Sequence, residues 1–215
     1  VSTAKYLAPE LLGKFNELYP DIELSLKVSN RDRVLERMSN HEDDLYIMGQ
    51  VAHEFEDVEV YPFAPNPLVV VAPKGHSLTQ RSQISLKELA ETPFILREPG
   101  SGTRDATLKV FEKANIRPRI KMELGSSEAI KHAVLAGLGL SVLSLHSMTL
   151  EGPQGPLALL DVNGFPIMRQ WFIVHPKGRS LSLVAQSFLE FAISEEQTMR
   201  DAMAKQWPLV FQNAD

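Results

Sequence analysis

Cysteine is absent from the chain. That removes disulfides, thiolate metal sites and cysteine nucleophiles from consideration, although both reducing and oxidising compartments tolerate such chains. No run of about 18 apolar residues occurs, so no membrane-spanning helix is expected. An excess of positive charge is missing too: 22 Lys and Arg stand against 27 Asp and Glu, for a net charge of −5 and a pI near 5.7. Without a basic footprint, these residues are not expected to bind nucleic acid by themselves. Val1 is not followed by the basic region and hydrophobic segment of a signal peptide, so the expected location is cytoplasmic. The chain opens abruptly in what reads as the end of a strand, the mark of a fragment of a longer protein. There is no compositional repeat, charge block or low-complexity linker. What is present is a length of 215 residues at 44% hydrophobic content, enough for one large domain or two small ones with ordinary cores.

The most informative run is Leu124 to Ser147, LGSSEAIKHAVLAGLGLSVLSLHS. Ser126 and Ser127 occupy the place of a helix N-cap, and Ile130, Val134, Leu135 and Leu138 follow at helical spacing. Gly137 ends the helix, and Gly139 to Leu145 reads as a strand covered on both faces. Strand, helix and strand in that order place a helix N-terminus beside a strand's C-terminal end. In open α/β sheets that is where ligands bind, and unpaired N–H groups with the helix dipole favour anions. Serine caps are also common where no ligand binds, so the run does not decide the matter alone.

Taken in order, Ser2 or Thr3 caps a predicted first helix to about Leu18, with Leu7, Leu11, Phe15 and Leu18 on one face and Pro9 interrupting its early turns. Ile22, Leu24, Leu26 and Val28 alternate as a strand. A polar helix spans about Arg31 to Asn40, with Val34, Leu35 and Met38 inward, and Asp44 to Met48 forms the next strand, which ends at Gly49-Gln50. A more open stretch runs through Phe55, Val58 and Val60 to Pro62, Pro65 and Pro67, before a compact strand at Leu68 to Ala72. Further on, the pattern gives a short helix at Ser85 to Glu91, a strand at Phe94 to Leu96, the polar glycine loop Arg97 to Arg104, a helix carrying Leu108, Val110, Phe111 and Ala114, and a strand at Arg119 to Leu124. Strands follow at Leu157 to Val162 and Met168 to Val174, and then a long helix from Leu181 to about Ile193. The tail, 195 to 215, reads as a docked helix and an extended end, with an exposed apolar face for a partner subunit as the alternative.

Pro73-Lys74-Gly75 and Pro176-Lys177-Gly178 each follow an apolar strand. These two similar breaks predict a segment inserted between them. Residues 1–72 and 177–215 would then form one lobe and 73–176 the other.

Together these residues resemble the effector-binding domain of LysR-type transcriptional regulators over essentially the whole chain. The matching pieces are the serine or threonine before PELLGKFNELYPDIEL, the strand LVVVAPKGHSL and the segment SSEAIKHAVLAGLGLSVL. The resemblance implies an α/β fold of the type 2 periplasmic-binding-protein kind: two lobes joined by two crossing strands, with a small ligand in the interlobe cleft. It further implies a homodimer or homotetramer, and DNA binding through a separate N-terminal winged helix-turn-helix that this chain does not contain. VSTAKYLAPELL and REPGSGTRDATL are similar to regulators of carbon-dioxide fixation or inorganic-carbon uptake genes. That narrower likeness implies a phosphorylated metabolite such as ribulose bisphosphate or phosphoglycolate, with oxoglutarate or nicotinamide nucleotides as other candidates.

With the lobes facing each other, helix starts at Ser2-Thr3, Ser101-Gly102-Thr103 and Ser126-Ser127 would all open into one cleft. Each supplies hydroxyls, free N–H groups and roughly half a positive charge. Gly100 and Gly102 would let the backbone approach a phosphate or carboxylate closely. Lys5, Arg97 and Arg104 would add full charges unless they are solvated surface side chains, an arginine being able to grip two oxygens at once. Glu98 would repel an anion unless it pairs with Arg97 or accepts a ligand hydroxyl, and Gln50 is a neutral candidate on the opposite wall. GSGTR lacks the spacing of a Walker A loop. His41, His53, His76, His132, His146 and His175 make no metal-ligand spacing, and Ser141 lacks a nucleophile elbow, so neither a metal, a cofactor nor catalysis is expected. The rival readings are a solute-binding protein of the same fold delivering an anion to a transporter, which an export signal would favour, and an enzyme on the same scaffold, for which no acid-base pair is evident.

Overall fold

The computed structural model describes residues 4–49 and 57–211. In chain order its elements are α1 (Ala8–Leu18), α2 (Arg31–Ser39), β1 (Tyr46–Met48), β2 (Val58–Pro65), β3 (Leu68–Pro73), α3 (Leu86–Glu91), β4 (Phe94–Arg97), α4 (Gly102–Lys113), β5 (Ile120–Leu124), α5 (Ser127–Leu135), β6 (Leu140–Ser144), β7 (Leu157–Leu159), β8 (Gln170–Pro176), α6 (Leu183–Ser194), α7 (Glu196–Gln206) and α8 (Pro208–Phe211). They divide into two compact units. One comprises Val1–Asn66 with Arg169–Pro208, and the other Pro67–Met168 with Leu209–Asp215.

The first unit is built on an antiparallel sheet in the order β1-β8-β2. Phe15, Phe63, Trp171, Ile173 and Leu189 form its main core, where Phe15 meets Phe188 edge-on with ring centroids 5.2 Å apart. α1 begins at Ala8, after a 3-10 turn at Ala4–Tyr6. The expected cap at Ser2 or Thr3 lies outside the described residues. Pro9 opens α1 instead of interrupting it, because a proline in the first turn lacks only an N–H that would have had no helical partner.

Two further expectations fail in this unit for one reason. Residues 23–30 form no strand, despite the alternation of Leu24, Leu26 and Val28. Alternation specifies a face, but a strand also needs a neighbour, and among the described residues β1 pairs with β8 alone. Residues 23–28 instead line a cavity of about 290 Å³ with Ala8, Leu12, Tyr46, Ile47 and Phe188. Conversely, the stretch read as open contains β2, which tolerates Pro62 and Pro65 because it is an edge strand and its register shifts between Pro62 and Ala64.

The second unit carries a mixed sheet in the order β5-β4-β6-β3-β7. β4 runs parallel to both β5 and β6, and β3 runs antiparallel to β6 and β7. Leu68, Val70, Ala72, Phe94, Leu96, Leu140 and Val142 pack one face against Leu89 of α3 and Phe111 of α4. The alternate residues Val69, Val71, Ile95 and Leu143 are buried on the other face. α5 packs on β3, β4, β5 and β6 through a side that buries Ile130, Ala133 and Val134. The chain leaves β4 by α4 to reach β5, then returns by α5 to β6 on the opposite side of β4. Right-handed crossovers in opposite directions set the two helices on opposite faces, with a switch point at the C-terminal end of β4.

The unit boundaries differ from 72/73 and 176/177, the positions read from the Pro-Lys-Gly breaks. β3 pairs within the second sheet and β8 within the first, so these two passages between units fall at Asn66–Pro67 and Met168–Arg169, with a further one at Pro208–Leu209. The breaks mark the far ends of those strands, where Lys74 N–H donates to the Pro156 carbonyl and Lys177 N–H to that of Asp57. In the tail, α7 docks on β2 and α6 with Met199 and Met203 buried, and α8 replaces the start of the expected extended end.

Candidate functional site

β4 and β5 are adjacent and parallel, with Arg97 opposite Leu124. Their C-terminal ends therefore open on the same edge of the sheet, and each leads directly into a helix of eight residues or more. α4 begins after Ser101, whose hydroxyl makes no capping hydrogen bond. α5 begins after Ser126, whose Oγ accepts from the Ala129 N–H at 3.4 Å. Gly102, Thr103 and Ser127 stand in the opening turns, so the positive ends of two helix dipoles flank the end of β4.

One atom at this edge is incomplete. Ser127 is 1% exposed, and its Oγ is buried with no hydrogen-bond partner. A buried hydroxyl left unsatisfied is costly, so an orphan of this kind in a folded protein calls for an explanation such as a ligand or an ordered water.

The charges at the same edge are matched. The Arg97 side chain, 1% exposed, forks onto Glu98, with Nε to Oε2 at 2.7 Å and Nη2 to Oε1 at 2.8 Å. Arg104 Nη1 donates to the Arg97 carbonyl at 2.9 Å and to Glu123 Oε1 at 2.6 Å. Glu98 thus pairs with Arg97, one of the two arrangements under which its charge is compatible with an anion nearby. Both arginines expected to contribute full charges are thus engaged by carboxylates, Arg97 by Glu98 and Arg104 by Glu123.

The second unit thus brings Arg97, Glu98, Ser101, Gly102, Thr103, Arg104, Ser126 and Ser127 to one edge. Lys5 belongs to the first unit, where its Nζ lies 4.9 Å from the centre of the Tyr6 ring. Ser2, Thr3 and Gln50 lie outside the described residues. Sequence reasoning missed Glu123 and Gly125. Glu123 is a partner from another element, and nothing local announces it. Gly125 lies so near Glu98 that a Cβ there would come within 4.0 Å of its Cδ, and the only local signal was a glycine before two serines.

A second recess in this unit, of about 190 Å³, is lined by Glu128, Lys131, His132, Met148 and Glu151 among others. Lys131 is buried, and its Nζ donates to the Ser147 carbonyl at 2.9 Å while contacting Glu151 at 2.5 Å and Glu128 at 3.1 Å. These three contacts match the donors of an ammonium, and they tie α5 to the turn after β6. Among the described residues no group of three or more His, Cys, Asp or Glu is placed to hold a metal ion, and no helix is long and apolar enough to cross a membrane.

The model of the LysR substrate binding domain matches residues 1–197. The chain belongs to that family. It is 45% identical over 199 residues to the HTH-type transcriptional activator CmpR of Synechocystis sp., covering 93% of this chain and 65% of that protein. It is 46% identical over 191 residues to the RuBisCO operon transcriptional regulator of Acidithiobacillus ferrooxidans, covering 89% and 62%. The chain therefore spans just under two thirds of the length of these curated relatives. Among solved structures, the regulatory domain of Synechocystis CcmR in complex with 2-PG superposes with a TM-score of 0.88 at 44% identity, covering 93% of this chain and 95% of that one. The fold is accordingly the two-lobe, mixed α/β class of LysR effector-binding domains.

Proposed function

We propose that this LysR domain senses a small anionic metabolite and that the protein containing it controls transcription of carbon-fixation or carbon-concentrating genes. The observation that carries the ligand reading is the buried, unpartnered Ser127 hydroxyl at the start of α5, beside the Arg97–Glu98 pair. Hydroxyl, first-turn N–H groups and a nearby guanidinium are the donors that a carboxylate or phosphate accepts from. The likeness to a regulatory domain in complex with 2-PG supports the same class of ligand, and phosphoglycolate, sugar phosphates and oxoglutarate are the candidates. The names of the relatives, an activator and a RuBisCO operon regulator, support the target genes.

In this reading the ligand lies in a cleft between the lobes and contacts Ser2, Thr3, Lys5 and Gln50 as well as the residues of the second unit. It shifts the lobes' relative orientation only to the extent that it binds the closed form better than the open one. The shift passes to an N-terminal winged helix-turn-helix through the packing of a homodimer or homotetramer. Calorimetry with phosphoglycolate, a panel of sugar phosphates and oxoglutarate, repeated on Thr103→Ala and Ser127→Ala, tests the site. Loss of a single hydrogen bond to a charged ligand should weaken the best binder by about tenfold or more. Unchanged affinity in both variants would remove these residues from the site.

A further inference from the structure

The edge that offers donors to an anion already holds one of its own. Glu98 is half-buried, with its side chain 24% exposed, whereas the arginine it grips is 1% exposed. Its carboxylate lies beside the turn joining β5 to α5, where a Cβ added at Gly125, the residue before the Ser126 cap, would stand 4.0 Å from its Cδ, in ordinary contact. Glu98 therefore occupies the region where the α5 dipole and the Arg97 fork both favour negative charge. The neighbouring Arg104 is engaged by Glu123. An anion arriving here gains full benefit only by taking over the guanidinium of Arg97.

We propose that Glu98 is a resident counter-ion which the effector must displace from Arg97, so that this carboxylate sets the affinity of the site for anions. The proposal rests on the reading that an anion binds at this edge. Displacement needs only rotation of the Glu98 side chain toward solvent, since Arg97 is held at the end of β4 and Glu98 follows it as the strand stops. The ligand this implies carries an oxyanion with two oxygens available to the fork, a carboxylate or a phosphate. A ligand lacking such a group would leave the Arg97–Glu98 pair intact and bind without competition.

Glu98→Gln keeps an oxygen for Arg97 but removes the competing charge. Phosphoglycolate and inorganic phosphate, titrated calorimetrically against both proteins, should bind the variant about tenfold more tightly, a modest fraction of the repulsion between two unit charges a few ångströms apart. The ligand-free variant should also melt at a lower temperature than the wild type and recover on saturation, because the buried Arg97 loses the charge of Glu98 and the ligand restores a negative charge beside it. Equal or weaker binding by the variant, with the wild type binding measurably, overturns the displacement and leaves the anion site standing. Binding by neither protein overturns both. If Glu98→Gln does not fold, the wild type still decides: the carbon-13 resonance of the Glu98 carboxylate should move on saturation with phosphoglycolate, and an unmoved resonance overturns the proposal.

Discussion

Ser127 separates stability from function in a way few buried residues do. Truncating a buried polar side chain usually removes a hydrogen bond and lowers stability, but the Ser127 hydroxyl has no partner to lose. Ser127→Ala should therefore leave the melting temperature unchanged or slightly raised, while weakening the anion. A marked fall in stability, measured by thermal denaturation without ligand, would show that the hydroxyl holds the fold together. Tyr46 is the opposite kind of residue. Its phenol donates to the Arg37 carbonyl at 3.1 Å and accepts from the Asp43 N–H at 3.0 Å. Burial pushes its pKa above the ordinary tyrosine value, outweighing the opposing effect of the Asp43 N–H. A group that holds its proton more tightly when folded contributes stability that is fully present below the ordinary pKa and is lost as pH rises through the folded one. Alkaline titration should thus destabilise the wild type above about pH 10 more than Tyr46→Phe, with the missing phenolate absorbance appearing late.

At the scale of elements, legibility in the sequence depends on whether the determining contacts are local. α5 was readable because its cap, its apolar spacing and its glycine stop lie within one short run, and the structure has Ser126 capping, Ile130 and Val134 buried and Gly137 at φ +75°. The strand alternation at 22–28 and the openness of the proline-bearing β2 misled because pairing is decided by distant partners. The Arg97–Glu98 pair was open for another reason. Consecutive residues of a strand point to opposite faces, and these two meet only because β4 ends at Arg97. The two glycines after α5 provide a test of how such positions differ. Around Gly137 an added Cβ would meet nothing within 4 Å, so Gly137→Ala pays only for its left-handed backbone, about 1 kcal/mol. At Gly139 the Cβ would fall 2.6 Å from the Pro93 carbonyl oxygen, to which Leu140 N–H donates at 2.9 Å. Backbone cannot yield as a side chain can, so Gly139→Ala should cost about 3 kcal/mol or more. Urea denaturation that ranked the two variants the other way would contradict this account of the junction between β4 and β6.

For the molecule as a whole, the placement of tryptophan distinguishes an effector that engages both units from one that engages a single unit. Trp171 and Trp207 are the only tryptophans, both are buried, and both belong to the first unit. The described residues proposed to hold the anion, apart from Lys5, belong to the second. Each unit has its own core, so the two need not melt together. Tryptophan fluorescence then follows the first unit, while far-ultraviolet circular dichroism follows both. A ligand at a hundredfold excess over its Kd adds about 2.7 kcal/mol to whatever it binds. For a chain of this size that corresponds to roughly 5–10 °C in melting temperature. An anion held by both lobes should raise the fluorescence and dichroism transitions together. If phosphoglycolate raised the dichroism transition and left the fluorescence transition in place, the ligand would be confined to the second unit, and reorientation of the lobes would need another cause.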